Sequence, residues 1–216
     1  MPVRLDPPAL PGWEPAFAAV QEEARKRGMR ALVVGGYVRD RLLGGDREKQ
    51  IREVDILVEG KGAIQMATDV ATAMKLHPPV VFERFGTAHL DFDHRALEFV
   101  SSRVETYDPS SRKPQVSPGT LKDDVMRRDF TVNTLLMDWD GSVLDLTGRG
   151  LADLESRRIA TPLEPTRSVN TARLQGSASL SRSKSYACFV GPQTTELLCL
   201  SARRGRRKDP TCAQCD

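Results

Sequence analysis

Three acidic residues have the types and spacing to hold a metal ion for phosphoryl transfer. Glu53 and Asp55 are two residues apart in an alternating, β-rich run that predicts a strand. Side chains at that spacing leave the same face, about 6.5–7 Å apart along the strand, so both carboxylates can reach the same divalent ions. Glu98 lies in another apolar run, where a carboxylate needs a partner or a metal. The alternatives are a solvated edge strand for the first pair and an ion pair with Arg95 or Arg103 for Glu98.

Two glycines indicate a phosphate-binding turn. Gly35 and Gly36 follow a short apolar run that predicts a buried strand, and they precede a predicted helix. Backbone without a Cβ can approach a ligand closely, and N–H groups at the start of a helix suit a phosphate. Arg39 and Asp40 lie in that helix, and the Arg39 guanidinium could add a fixed positive group for a triphosphate. The alternative is a turn that serves packing alone.

A third cluster combines arginines with an acid and an amide. Arg127, Arg128, Asp129 and Asn133 lie in a segment predicted as one helix over 120–137, with a capping box at its start. Asp129 and Asn133 are four residues apart and would share a helix face, with the arginines one turn earlier. Such a face could contact ribose hydroxyls, phosphates and base edges. An isolated run of this kind is more often a solvated helix face.

Composition places the chain among globular proteins. Of its 216 residues, 39% are hydrophobic and 28% are charged, with a net charge of +3. No run approaches the roughly 18 apolar residues of a membrane span, and the N-terminus lacks the apolar segment of a secretory signal. We therefore expect no membrane association and a cytoplasmic location. Residues 166–216 differ from the rest: they carry nine Lys/Arg, three Asp/Glu and all four cysteines.

Hydrophobic periodicity predicts the elements that position these residues. The expected helices, besides the one over 120–137, cover 13–28, 37–43 and 63–74, and the expected strands cover 31–34, 54–58, 80–82, 86–93, 96–101 and 142–146. Three prolines in 105–118 predict a mobile loop. The fold class is α/β (α+β), with a mixed sheet of about five strands and helices on one side. Residues 1–12 form an extended segment, 13–165 a folded domain, and 166–216 a tail of low order.

Five short motifs of this sequence resemble, in their residues and their order, those of a known protein family. They are Gly-Gly-Tyr-Val-Arg-Asp (35–40), Glu-Val-Asp (53–55), Phe-Gly-Thr-Ala (85–88), Leu-Glu-Phe-Val (97–100) and Arg-Arg-Asp-Phe-Thr-Val-Asn (127–133). Each motif is weak alone, but together they resemble the bacterial class II tRNA nucleotidyltransferase (CCA-adding enzyme) and poly(A) polymerase family. That family belongs to the polymerase-β-like nucleotidyltransferases, and the resemblance covers roughly residues 30–155, within a head domain over 13–165.

The resemblance implies a template-independent enzyme. It would use Mg²⁺ to transfer CMP and AMP from CTP and ATP to the 3′ end of tRNA; poly(A) addition is an alternative, and the oligomeric state is open. Glu53 and Asp55 would bind the metal, and Glu98 would be a third catalytic acid. The positions implied for nucleotide binding are Gly35, Gly36, Arg39, Asp40, Arg127, Arg128, Asp129 and Asn133.

Two features depart from the family pattern. Glu53 stands where the family usually has Asp, and its extra methylene moves the carboxylate by more than the roughly 0.5 Å that tightly held metal geometry tolerates. We therefore expect reduced activity. After residue 165, the sequence lacks the Arg-rich helices with which family members select the nucleotide and grip tRNA. This change predicts a truncated or frameshifted reading frame, and the alternative function is a catalytically impaired remnant of the family.

Overall fold

The structure, a computed structural model, describes residues 3–44, 51–106 and 115–163. The prediction of a low-order tail over 166–216 lies outside these residues. Within them the chain forms five helices: α1 (Glu14–Arg27), α2 (Gly36–Leu43), α3 (Ala63–Ala73), α4 (Leu121–Met126) and α5 (Gly150–Glu155). The strands are β1 (Ala31–Val34), β2 (Glu53–Val58), β3 (Val80–Phe82), β4 (Thr87–Phe92), β5 (Arg95–Ser101), β6 (Arg103–Thr106), β7 (Gln115–Pro118), β8 (Leu136–Met137) and β9 (Val143–Leu144).

Seven of the strands form one mixed sheet, in the order β3-β4-β5-β2-β1-β8-β9. Only β2 and β5 run parallel among the paired strands of the described residues, and their register places Asp55 directly opposite Glu98. Strands β6 and β7 pair separately as an antiparallel ribbon. The parallel pair therefore brings together two acids that are far apart in the sequence.

The two faces of the sheet are covered differently. On the first face, α1 and α3 bury a large apolar core that includes Trp13, whose ring centroid lies 5.7 Å from that of Phe17 and 5.2 Å from that of Phe92. On the second face, α4 contributes Leu121 and Val125 to a smaller cluster with alternate strand residues, namely Leu32, Val34, Leu57, Val100 and Leu136. Because side chains alternate along a strand, Asp55 and Glu98 share this second face with Leu57 and Val100.

Local signals determine most element boundaries. Helix α1 has a proline in its first turn and ends at Gly28, whose φ of 60° lies in the left-handed region that favours glycine. Helix α4 begins with the predicted capping box, because Thr120 and Asp123 exchange hydrogen bonds with each other's backbone N–H groups. The fold class and most of the predicted helices and strands are thus confirmed.

Three expectations about the elements were wrong. The helix predicted to run to Met137 ends at Met126, since the chain then forms a 3-10 turn over Thr131–Asn133 and pairs β8 with β1. The ends of the predicted loop over 105–118 belong to β6 and β7, while 107–114 lie outside the described residues. The sheet also exceeds the expected number of about five strands: β9 lies within the strand predicted over 142–146, whereas the two-residue β8 is too short to show alternation and lies in the segment predicted as helix.

The short α4 lies on the opposite face from the longer helices, so the helices are not all on one side as predicted. Its six residues contribute two buried apolar side chains and the partly buried Met126 to the core, and so short a pattern does not indicate a face of the sheet. Among the described helices, none has the length and apolar character needed to cross a membrane.

Candidate functional site

The three acids singled out in the sequence lie together on the second face of the sheet. Glu53, Asp55 and Glu98 each offer a carboxylate oxygen, and these oxygens all lie within 4.8 Å of one another. All three side chains are partly buried. Three convergent carboxylates of this kind form a typical ligand set for a hard divalent cation, so the cluster can hold a metal ion.

The pKa of Asp55 is shifted in the metal-free protein. The pKa of its carboxyl is raised from 3.8 to about 6, chiefly by burial and in part by the nearby carboxylates of Glu53 and Asp124. The positive charge of Arg128 acts in the opposite direction. Ionising this buried carboxylate therefore costs free energy in the metal-free protein. A cation bound beside the ionised carboxylate offsets that cost, so the ionised form is favoured when a metal ion binds.

The raised pKa predicts how metal-free stability depends on pH. Between pH 4 and pH 6 the folded state binds more protons at Asp55 than the unfolded state does, so the free energy of unfolding falls as pH rises through about 6. From pH 5 to pH 7.5 the wild type should lose about 1–2 kcal/mol more than Asp55→Asn. Urea unfolding of both proteins in EDTA at the two pH values measures this difference, and parallel pH profiles would contradict it.

The glycine turn lies directly against the carboxylate cluster. Gly35 has φ 81° and donates its N–H to the Leu135 carbonyl at 3.1 Å. A Cβ at this position would lie 3.2 Å from Oδ2 of Asp55 and 3.5 Å from Nη1 of Arg128. Glycine is therefore required both by the backbone conformation and by the space, and the start of α2 borders the acids and an arginine together.

A hydrogen-bond chain joins the first motif to the last. Arg39 donates from Nη1 to Oδ1 of Asn133 at 2.8 Å and from Nε to Oδ1 of Asp40 at 2.9 Å. Asn133 in turn donates from Nδ2 to Oδ1 of the exposed Asp129 at 3.3 Å. Asp129 and Asn133 are therefore neighbours as predicted, although a 3-10 turn brings them together and the predicted helix does not.

The two arginines of the last motif share a partner that the sequence analysis missed. Arg127 and Arg128 both donate from Nε to the carboxylate of Asp124, at 2.9 Å and 3.3 Å respectively. Asp124 is fully buried. Its spacing of three and four residues before the arginines was the available signal, since such pairs meet on a helix.

The predicted residues thus form two connected groups. Glu53, Asp55 and Glu98 make the carboxylate cluster, and Gly35 and Arg128 border it. Asp40 and Asp129 instead contact Arg39 and Asn133 in the hydrogen-bond chain. The arrangement places a candidate metal site beside a glycine turn and a basic group, which suits a phosphate-bearing ligand.

Comparison with known proteins identifies the family of this chain. A family model described as the Poly A polymerase head domain matches residues 31–160, more than half of the chain. The A-adding tRNA nucleotidyltransferase of Aquifex aeolicus is 36% identical over an alignment of 190 residues, with 82% of this chain and 22% of that protein covered. The CC-adding tRNA nucleotidyltransferase of Deinococcus radiodurans is 34% identical over 190 residues, covering 80% of this chain and 48% of that protein.

A solved structure shows the same relationship. A tRNA nucleotidyltransferase complexed with a primer tRNA and an incoming ATP analogue superposes with a TM-score of 0.54 at 36% identity, covering 73% of this chain and 44% of that one. The chain spans less than half the length of each of these relatives. The matched residues include every motif of the site, from the glycine turn to the arginine pair. The chain therefore belongs to the family of the poly(A) polymerase head domain, which the tRNA nucleotidyltransferases share.

Proposed function

We propose that this chain is a nucleotidyltransferase that adds CMP and AMP, from CTP and ATP, to the 3′ end of tRNA with the help of Mg²⁺. The observation that carries the proposal is the convergence of Glu53, Asp55 and Glu98 beside the turn at Gly35. Phosphoryl transfer requires a site that both concentrates divalent cations and accepts a triphosphate, and this arrangement supplies the groups for both. The proposed location is the cytoplasm, in keeping with a tRNA substrate.

Each group in the site has a proposed role. Glu53 and Asp55 would hold Mg²⁺, which when bound lowers the pKa of an attacking hydroxyl and neutralises triphosphate charge. Glu98, directly opposite Asp55 on β5, would complete the acidic set. The backbone at Gly35 allows a triphosphate to approach, and Arg128 offers a cation at the same point.

In the proposed reaction one bond to the α-phosphorus forms and one breaks. The RNA 3′-hydroxyl oxygen loses its proton to water and forms a bond to the α-phosphorus, the bond from that phosphorus to the oxygen that bridges the α- and β-phosphates breaks, and pyrophosphate leaves with that electron pair. The hydrogen-bond chain from Arg39 through Asn133 to Asp129 would orient the ribose of the incoming nucleotide.

The nucleotide added is a separate part of the proposal. The two curated relatives described above are named as A-adding and CC-adding enzymes, and the matching family model is named for poly(A) polymerase. Poly(A) addition is therefore the second candidate, since the head motifs are shared. The hypothesis of a catalytically impaired remnant is not favoured by these relatives, whose names describe enzymes.

Incorporation of labelled CTP and ATP tests the proposal. The 216-residue chain and its Glu53→Asp variant are each incubated with Mg²⁺ and a tRNA that lacks its 3′ end. We expect incorporation by both, with Glu53→Asp faster by about tenfold because the shorter side chain restores the usual ligand length. The length and composition of the product distinguish CCA, CC-only, A-only and poly(A) addition.

Two controls make this result decisive. Circular dichroism shows whether each protein is folded, and EDTA removes the divalent cation. Incorporation that persists in EDTA contradicts a metal-dependent mechanism. If both proteins are folded and neither incorporates a nucleotide, the chain does not perform the proposed reaction.

A further inference from the structure

Asp124 is a buried carboxylate shared by two adjacent cations. Its side chain has no solvent exposure, and one oxygen, Oδ1, accepts from Nε of Arg127 at 2.9 Å. The other oxygen, Oδ2, accepts from Nε of Arg128 at 3.3 Å. Each arginine therefore has its own carboxylate oxygen, and the two guanidinium groups are held side by side.

The surroundings of Asp124 fix its carboxylate in place. The capping box at Thr120 secures the first turn of α4, and Leu121 and Val125 on either side of Asp124 in the sequence are buried against the sheet. Burial lowers the pKa of Arg127, and the nearby charge of Asp124 opposes that effect. Because a buried charge without a partner is costly, the carboxylate and the two arginines stabilise one another as a unit.

The hydrogen bond to Asp124 determines the direction in which the guanidinium of Arg128 points. Nε of Arg128 faces Asp124, while Nη1 lies 3.5 Å from the point where a Cβ of Gly35 would be. Oδ2 of Asp55 lies 3.2 Å from that same point. One end of the guanidinium is thus bound to α4, and the other borders the glycine turn and the candidate metal site.

From this geometry we propose that Asp124 is a positioning residue for triphosphate binding. Its carboxylate holds Arg128 so that the Nη end of the guanidinium borders the glycine turn and Asp55, and its other oxygen holds Arg127. Asp124 itself is too deeply buried to touch the ligand. The inference rests on the proposed function, because it assigns the space beside Gly35 to the triphosphate of the incoming nucleotide. A charge-assisted pair of this kind fixes direction as well as distance, which a solvated arginine does not.

The test measures ligand binding and does not require catalysis. Isothermal titration of the full chain with inorganic triphosphate, ATP and CTP, each with Mg²⁺, gives the dissociation constants. We expect Asp124→Asn to weaken all three by about tenfold or more, since the arginine loses its charged anchor. The matched control is Glu23→Gln on α1, over the opposite face of the sheet, which removes another buried carboxylate, one that accepts a hydrogen bond from Nζ of Lys26 at 2.7 Å. This control should leave the three constants within about twofold of wild type when folded.

A double-mutant cycle separates positioning from general destabilisation. If Asp124 acts through Arg128, then Asp124→Asn should have little further effect on triphosphate affinity in the Arg128→Ala background. Losses that multiply in the double variant would instead show that the two residues act independently, and would overturn the inference. Unchanged affinity in a folded Asp124→Asn variant would overturn it equally.

Asp124→Glu takes the place of Asp124→Asn in the cycle if the latter does not fold. It keeps the charge but displaces the carboxylate by one methylene, so a positioning role predicts weaker binding that disappears in the Arg128→Ala background. Affinity equal to wild type in this variant would contradict the role. The wild-type titration distinguishes failure of the proposed function from failure of the positioning role. If the wild type binds none of the three ligands, the proposed function is wrong. If the wild type binds them and the Asp124 variants bind them equally well, only the positioning role is wrong.

Discussion

Replacing Asp55 with Asn is expected to reduce nucleotide incorporation by at least about 1,000-fold, because the variant removes a metal-ligating charge at the centre of the carboxylate cluster. A bound metal contributes several kcal/mol of transition-state stabilisation, and about 4 kcal/mol corresponds to a factor of 1,000 in rate. The ionised form of Asp55 is also costly in the metal-free protein, where burial raises its pKa to about 6. Mg²⁺-dependent binding of triphosphate should disappear in the same variant.

Asp69→Asn is the matched control for this change. Asp69 lies on α3, which packs against the opposite face of the sheet, and its carboxylate pairs with Arg27. Its replacement should leave incorporation within about twofold of wild type, because surface pairs contribute little. If Asp55→Asn binds triphosphate with unchanged Mg²⁺ dependence, the assignment of the metal site to this cluster is wrong.

Gly35→Ala is expected to impair both the fold and the reaction. An alanine at φ 81° is strained, and its Cβ would lie 3.2 Å from Oδ2 of Asp55. The strain should lower the free energy of unfolding by about 1–3 kcal/mol. The strained turn and the displaced carboxylate together should lower incorporation by about 10- to 100-fold, since active-site geometry tolerates shifts of only about 0.5 Å. Urea unfolding and steady-state incorporation measure the two effects.

A second glycine distinguishes backbone strain from contact with the site. Gly28 ends α1 with φ 60°, and a Cβ there would meet no atom within 4 Å. Gly28→Ala should therefore lower stability by about 1 kcal/mol and leave incorporation by the folded protein unchanged. If Gly35→Ala behaves in the same way, with reduced stability but full activity, then the turn at Gly35 has no role in the reaction.

Several features of this protein follow from the sequence because they depend on residues close together in the chain. The alternation through Glu53 and Asp55 indicates a strand with both acids on one face, and the structure has them there. Thr120 and Asp123 indicate a capping box, which depends only on one turn of helix. The glycine pair at the start of α2 is likewise visible, since the need for a positive φ is a local property.

Other features were decided by contacts between distant parts of the chain. The register of β2 against β5 places Glu98 opposite Asp55, and no local pattern specifies that alignment. Pairing of β8 with β1 ends the segment that periodicity predicted as helix, because tertiary pairing outweighs local propensity. Asp124 depends on both kinds of information. Its spacing from the two arginines is visible in the sequence, but its complete burial, which allows it to hold them in place, depends on the packing of α4 against the sheet.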